Sequence, residues 1–303
     1  MKTISILMST YNGEKYLKEQ IDSLLSQKGV NVNILIRDDG SIDNTISMLR
    51  EYSQKYDNIE YYSGHNLGPA YSFLDLMKKS KEADLYAFCD QDDVWDEDKL
   101  LVAATKLDEL DSSKPIMYYS NLRIVDSELN YIRESHSYLQ EHKCKYGALL
   151  EYMPTGCTVV FNEITRKFVN EVTPEYLSMH DIWMYVLCKM FGETIYDFES
   201  HISYRQHSNN VVGAYKYKTP KIYYEKFKRL FNPDFQPKFH TAKCLYNNYA
   251  KYMSAEDLEV VEELVHYKDG IRQKTKLLFD NRLKASSLSR EVRTKILILF
   301  GIV

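Results

Sequence analysis

Along the first stretch of the chain, short apolar runs rich in β-formers alternate with segments whose apolar positions recur at helical spacing. Thr3 to Ser9 is such a run, and the turn-prone pair Asn12-Gly13 ends it. Leu17, Ile21, Leu24 and Leu25 then fall on one face of a predicted helix. Val32 to Ile36 is the next strand and stops at Asp38-Asp39-Gly40-Ser41. Ser41 or Asp43 can then cap a helix carrying Ile46, Leu49 and Tyr52. Ile59 to Tyr62 is a third strand, and Asn66-Leu67-Gly68 turns into a helix with Pro69 at its first position. Leu85 to Cys89 is a fourth and runs directly into Asp90-Gln91-Asp92-Asp93.

Strands alternating with helices imply parallel β-α-β units and an α/β fold with a doubly wound sheet. In such sheets ligands bind beyond the carboxyl ends of the strands. Ser9 to Asn12, Asp38 to Ser41 and Asp90 to Asp93 all fall on that edge, so three polar turns are expected to share one rim. From about Pro115 the pattern changes. Short strands (Met117 to Val125, Cys157 to Phe161, Thr194 to Phe198) mix with a helix near Ile182 to Met190. After Gly213 the chain reads as helical, polar and basic, an appendage starting near Thr219.

The composition, 44% hydrophobic and 27% charged, is that of an ordinary globular protein. A net charge of −4 argues against a surface built to neutralise nucleic-acid phosphate, so no nucleic-acid partner is expected. The five cysteines form no C-x-x-C pair, which supports neither a disulfide framework nor a structural zinc site. No run reaches the roughly 18 to 20 apolar residues of a spanning helix, and Thr3 to Met8 reads as strand, not as a signal-peptide core. The expectation is a cytoplasmic protein, or one lying peripherally on the inner face of the membrane.

Asp90, Asp92 and Asp93 would repel one another at a strand end unless water or a cation compensates them. An all-oxygen cluster suits Mg²⁺ or Mn²⁺ with diphosphate oxygens completing the shell. The acids that follow, Asp96 to Asp98, also fit a helix N-terminus. Asp38 and Asp39 could accept from a pyrimidine imide or a ribose, although D-D-G-S serves equally as a turn and cap. Tyr11 could stack on the base. His180-Asp181 opens a helix, where Asp181 is either a cap or a general base for an acceptor hydroxyl, and Trp183 could offer a stacking face to a sugar. His207, in the polar run Tyr204 to Asn210, is either structural or a ligand completing a metal shell with Asp92.

Together these residues resemble glycosyltransferase family 2, of the GT-A fold, over about residues 1 to 215. The carriers are Ser9 to Gly13, Asp38 to Ser41, Asn66 to Gly68, Phe88 to Trp95, Thr155 to Cys157, His180-Asp181 and Tyr204 to His207. The form F-C-D-Q-D-D-V-W resembles the bacterial branch with rhamnosyltransferases of surface-polysaccharide synthesis. The resemblance implies a Rossmann-like, mostly parallel sheet flanked by helices, with a C-terminal helical appendage. It divides the chain into a nucleotide-binding half (1–114), an acceptor-binding half (115–215) and a C-terminal region (216–303). It implies that Ser9, Tyr11, Asp39, Asn66, Asp90 and Asp92 hold a dTDP- or UDP-sugar. Asp92 and His207 would hold the metal, Asp181 would be the base, and Gly156, His180 and Trp183 would face a saccharide or lipid-linked acceptor. A Q-x-x-R-W motif, carried by processive members, is absent. The implied reaction is an inverting transfer of one sugar or a few.

Two rivals stand beside it. A sugar nucleotidyltransferase would carry a Gly- and basic-rich loop after the first strand, which Ser9 to Lys15 lacks. A sugar-binding scaffold would leave the aligned carboxylates without a purpose. No G-x-x-x-x-G-K-[ST] loop is present. The segment from Ile271 onward holds eight Lys or Arg against two acids and ends in an apolar run, which fits either an anionic membrane or protein packing.

Overall fold

The apolar run read at the start of the chain forms β1 (Thr3–Thr10), which lies between parallel partners on both sides. The computed structural model describes residues 1–135, 144–207 and 237–302. In chain order β1 is followed by α1 (Leu17–Leu25), β2 (Asn31–Asp38), α2 (Thr45–Lys55), β3 (Ile59–Ser63), α3 (Pro69–Lys79) and β4 (Leu85–Cys89). Next come β5 (Val94–Trp95), α4 (Lys99–Leu107), β6 (Ile116–Val125), β7 (Tyr131–Glu134), β8 (Val160–Asn162), α5 (Glu163–Asn170), α6 (His180–Phe191) and β9 (Glu193–Arg205). The sheet order is β3-β2-β1-β4-β8-β6-β9-β5, with β7 paired on β6. Its first four strands are parallel, whereas β8 runs antiparallel to both β4 and β6, so the sheet is mixed.

Side chains alternate across a strand, and each strand here feeds two apolar layers. Ile4, Ile6 and Met8 join Leu17, Ile21 and Leu24 on one face, while Leu7 joins Phe73 and Trp183 on the other. β4 divides the same way, with Ala87 and Cys89 on the first face and Tyr86 and Phe88 on the second. Because both faces are covered, β4 reads as an unbroken apolar run.

Helices α7 (Pro237–Tyr249), α8 (Ala255–His266), α9 (Ile271–Phe279) and α10 (Leu288–Phe300) close the second face. Tyr249, Val260 and Leu264 are wholly buried in the cluster that holds Trp183. Ser254 and Asp257 form a reciprocal capping box at the start of α8, and the Tyr146 hydroxyl donates to Asp257 Oδ1 at 2.9 Å. The C-terminal helices therefore share the core that lies on the second face of the sheet. The boundary expected at 215/216 and the start near Thr219 lie outside the described residues.

Three local expectations need correction. Cys157 to Phe161 is not one strand. Gly156–Thr158 is a 3₁₀ turn in which both the Thr158 amide and its hydroxyl donate to the Thr155 carbonyl, and β8 starts only at Val160. The strand expected at Thr194 to Phe198 runs on to Arg205, because β6 pairs with it in parallel through two register shifts. Neither Ser41 nor Asp43 is the N-cap of α2. Asn44 holds that position, Asp43 accepts from the Thr45 amide at 3.0 Å, and Ser41 accepts from Asn12. Among the described residues no helix is long and apolar enough to cross a membrane.

Candidate active site

The rim begins where β1 ends. The Asn12 amide donates to Ser41 Oγ and the Asn12 side chain accepts from the Ile42 amide, which laces this turn to the one after β2. Asn12 adopts a positive φ of 49°, a conformation Asn tolerates. Gln91 ties the same turn to the end of β4. It accepts from the Tyr11 amide at 2.8 Å and donates to the Tyr11 carbonyl at 3.0 Å. A Cβ at Gly13 would meet Gln91 Oε1 at 2.2 Å, so a side chain there would push Gln91 away from Tyr11. Tyr11 stays 48% exposed, its ring free of the core.

Asp38 closes its own turn by accepting from the Gly40 and Ser41 amides at 3.1 and 3.0 Å. Asp39 faces the other way. It accepts from the Leu67 and Gly68 amides at 2.8 and 2.9 Å and pairs with the Arg37 guanidinium. Arg37, itself buried, also donates to Asp75 and to the His65 carbonyl at 3.0 Å. Asp39 is thereby 3% exposed, while Asn66 beside it is exposed. Ser9 Oγ lies 2.6 Å from Ser72 Oγ, which also accepts from Arg37.

β9 delivers the distal part of the chain to the end of β4. The Arg205 amide donates to Asp93 Oδ1 at 3.1 Å and its Nε donates to the Asp92 carbonyl at 2.9 Å. Its guanidinium pairs with Glu19 and lies 4.4 Å from the Tyr16 ring centroid. His207 follows, stacked on Tyr16 at 5.0 Å, with Nε2 at 2.7 Å from Asp92 Oδ2. Ser208 to Asn210, the rest of that polar run, lie outside the described residues.

Asp181 reaches the same place from α6. Its Oδ1 accepts from the Ile182 amide at 2.8 Å, and burial lifts its carboxyl to about 6. Asp90 is the meeting point: burial, then the Asp92 charge, then the Asp181 charge all push its carboxyl upward. Gly156 packs over the pair His180-Asp181, since a Cβ there would lie 2.9 Å from His180 Nε2 and 3.6 Å from Asp181 Oδ2.

Two expected acceptor contacts are corrected. Trp183 is 2% exposed and packs edge-on against Tyr249, because a side chain two positions past Asp181 points to the opposite side of the helix. It offers no stacking face. His180 is also buried, stacked on Phe73 at 4.0 Å, and burial holds its imidazole neutral by pushing it down to about 3. It lies beneath the rim. The remaining predicted residues, Ser9, Tyr11, Asn66, Asp90, Asp92, Gly156, Asp181 and His207, border the loops just described, with Asp39 set below them.

The sequence did not single out Arg37 and Lys99, and it showed Gln91 and Arg205 only as members of the runs Phe88 to Trp95 and Tyr204 to His207. Lys99 is wholly buried, with Nζ 3.2 Å from the Trp95 ring centroid and no hydrogen bond among the described residues. Burial lowers it to about 8, and Cys157, Cys89, Asp93 and Asp90 pull the other way. Asp90, Asp93 and Cys157 bring ligand-type atoms within 4.8 Å of one another, but burial holds the thiol protonated. Asp92 and His207 are the better-placed donors. One carboxylate and one imidazole converge at 2.7 Å beside the rim, a set that fits a divalent cation such as Mn²⁺.

Carboxylates at the ends of the parallel strands β2 and β4, with the buried Asp181 carboxylate near Asp90, line the edge at which sheets of this kind bind ligands. Residues 5–172 match the family described as glycosyl transferase family 2. A dTDP-rhamnosyl transferase, RfbG, of Shigella flexneri is 32% identical over 223 residues, covering 68% of this chain and 74% of that protein. An Escherichia coli UDP-Glc:α-D-GlcNAc-diphosphoundecaprenol β-1,3-glucosyltransferase, WfaP, is 25% identical over 191 residues, 62% of this chain and 72% of its own length. The Staphylococcus aureus TarS fragment 1–349 in complex with UDP-GlcNAc shares the fold, with a TM-score of 0.57 and 18% identity over 99% of this chain and 91% of that one. The chain belongs to glycosyl transferase family 2 and is a glycosyltransferase of the GT-A fold. Enzymes of this fold generally use a divalent metal.

Proposed function

We propose that the enzyme moves rhamnose or another hexose from a dTDP- or UDP-sugar to a saccharide acceptor, with inversion, in cell-surface polysaccharide synthesis. The observation that carries this reading is that Asp181 and the Asp92–His207 pair both border Asp90. This supports a reading in which a proton acceptor and a diphosphate-holding group lie on either side of Asp90. The 32% identity to a dTDP-rhamnosyl transferase supports rhamnose as donor sugar. The diphosphoundecaprenol in the Escherichia coli relative's name supports a lipid-linked acceptor, met on the inner face of the cell membrane.

The nucleoside lies along Ser9, Tyr11 and Asn66. Asp39 acts beneath it by holding the Leu67 and Gly68 amides in place. Asp90 faces the ribose, and Asp92 with His207 would hold Mn²⁺ or Mg²⁺ against the diphosphate. When bound, the metal supplies neutralisation of the charge that grows on the departing nucleoside diphosphate. Asp181 takes the acceptor hydroxyl's proton as that oxygen bonds to the anomeric carbon from the side opposite the breaking C–O bond. Gly156 lets its backbone lie directly against His180 and the Asp181 carboxylate, which fixes where the base sits.

A thermal-shift panel of nucleotide sugars, nucleoside triphosphates and sugar phosphates, with and without Mn²⁺, tests the donor assignment. A Mn²⁺-dependent shift confined to dTDP- or UDP-sugars is expected. A shift only with a nucleoside triphosphate and a sugar phosphate would favour a nucleotidyltransferase.

A further inference from the structure

Helix α10 carries two opposed faces. Thr294 and Ile298 are buried against the core. Leu288, Val292, Ile296, Leu299 and Phe300 are 47% to 77% exposed. At 100° per residue these five fall within one arc of about 120°. Cations edge that arc: Lys295 on one side, Arg293 and then Arg290 on the other. Lys274 of α9 reaches the far end, its Nζ donating to the Leu299 carbonyl at 3.2 Å. Ile271 and Phe279, also on α9, add two more strongly exposed apolar side chains. Lys295 pairs with Glu291 at 2.8 Å and Arg290 with Glu151 at 3.3 Å, so part of the positive charge is locally compensated.

We infer that α9 and α10 form a surface that docks on anionic lipid, with the apolar arc entering the headgroup boundary and the flanking cations meeting the phosphates. An apolar stripe bordered by Lys and Arg is the pattern of a helix lying in the plane of an interface. Charge selects this occupant over a second copy. Of the eight cations from Ile271 onward, Lys276 and Arg282 pair with Glu259 and Glu263 of α8, while Lys274, Arg290, Arg293 and Lys295 stand along the apolar arc. A twofold contact through this face would set its cationic border against itself. Anionic headgroups complement it instead. The inference extends the lipid-linked acceptor proposed above, but it rests on the surface and not on the transfer chemistry.

The test uses the full chain with vesicles of neutral phosphatidylcholine and with vesicles containing about one-third phosphatidylglycerol. Wild type should co-sediment with the anionic vesicles only, less so as salt rises. Val292→Gln/Ile296→Gln/Leu299→Gln and Arg290→Glu/Arg293→Glu should each weaken that binding ~10-fold or more while melting as wild type does. Both variants should release nucleoside diphosphate on a soluble acceptor at the wild-type rate. That assay separates failure of the docking surface from failure of the transferase reading. Equal sedimentation of wild type and both variants overturns the inference. So does a wild-type dimer by light scattering that the apolar variant breaks, with no vesicle binding, because the face then belongs to a second copy.

Discussion

His207 and Asp92 are 115 residues apart in the chain, yet Nε2 of the one lies 2.7 Å from Oδ2 of the other. The contact depends on Arg205, which anchors the end of β9 to Asp93 through its amide and to the Asp92 carbonyl through Nε. Tyr16 supplies the remaining support, carrying the Arg205 guanidinium and the His207 ring on one aromatic side chain.

If this pair holds the cation, His207→Ala should raise the Mn²⁺ concentration needed for half-maximal activity about 10- to 100-fold. Asp92→Asn should abolish the Mn²⁺-dependent thermal shift with nucleoside diphosphate while leaving the metal-free melting temperature close to wild type. A metal titration of each variant, with melting curves alongside, checks both outcomes. An unchanged Mn²⁺ requirement in His207→Ala would assign the histidine to packing on Tyr16.

Burial lifts Asp181 to about 6, which sets a pH signature. The base works ionised, so kcat/KM should fall about tenfold per unit as pH drops below about 6 and level off above it. Asp181→Asn should cut kcat by about 10²–10⁴-fold. The residual rate should lack the limb near pH 6. A profile from pH 5 to 8 on both proteins decides the point.

The same substitution should stabilise the fold. A carboxyl whose pKa is raised in the native state binds its proton more tightly there than in the unfolded chain. Stability is therefore lost as pH rises from about 4 through about 6, and the penalty is complete above that. Asp181→Asn removes a penalty on the order of 2–3 kcal/mol at pH 8. Its gain in melting temperature should shrink as pH falls to 4. Calorimetry at the two pH values measures it.

Gly156 is held to glycine by what lies beneath it, since a Cβ would come within 2.9 Å of His180 Nε2. His180 cannot retreat, being stacked on Phe73 at 4.0 Å and edge-on to Phe88 at 4.6 Å. Gly156→Ala should therefore displace Asp181 and lower kcat about 10- to 100-fold with little change in the KM for donor. Steady-state kinetics on both substrates separates this from a loss of nucleotide binding.

Lys99 is the buried cation under the carboxylates. Lys99→Met should destabilise the protein by about 3 kcal/mol at pH 7.5, where Lys99, at about 8, and Asp90, at about 7, are both mainly charged. The loss should be smaller at pH 5, where Asp90, raised to about 7 by burial, carries a proton. Denaturant midpoints at the two pH values test the difference.

Much of this arrangement was legible in the pattern of residues. The run Leu85 to Cys89 followed by carboxylates marked both a buried strand and the edge where it ends, because strand period and polarity change at one point. Pro69 marked the first turn of α3 for the same local reason. What local pattern could not show was which side of α6 faces the cleft. The helix is apolar all round, buried from His180 through Cys188 with Ile182 alone half-buried, so periodicity gave Trp183 no direction. Arg37 escaped notice because a single arginine inside an apolar strand announces no partner. Its role exists only once Asp39, Asp75 and the His65 carbonyl converge in space. Arg205 and Gln91 belong to the same class, side chains whose function is to hold one loop against another.

In the proposed reaction Asp92 and His207 hold the activated sugar through a cation, and Asp181 accepts the acceptor's proton. The most direct measurement is product analysis by NMR after incubation with dTDP- or UDP-sugar, acceptor and Mn²⁺. Free nucleoside diphosphate, a glycosidic bond of anomeric configuration opposite to the donor, and loss of both when EDTA is added are expected. Pyrophosphate as the released product, or a bond that keeps the donor's configuration, would contradict that reaction.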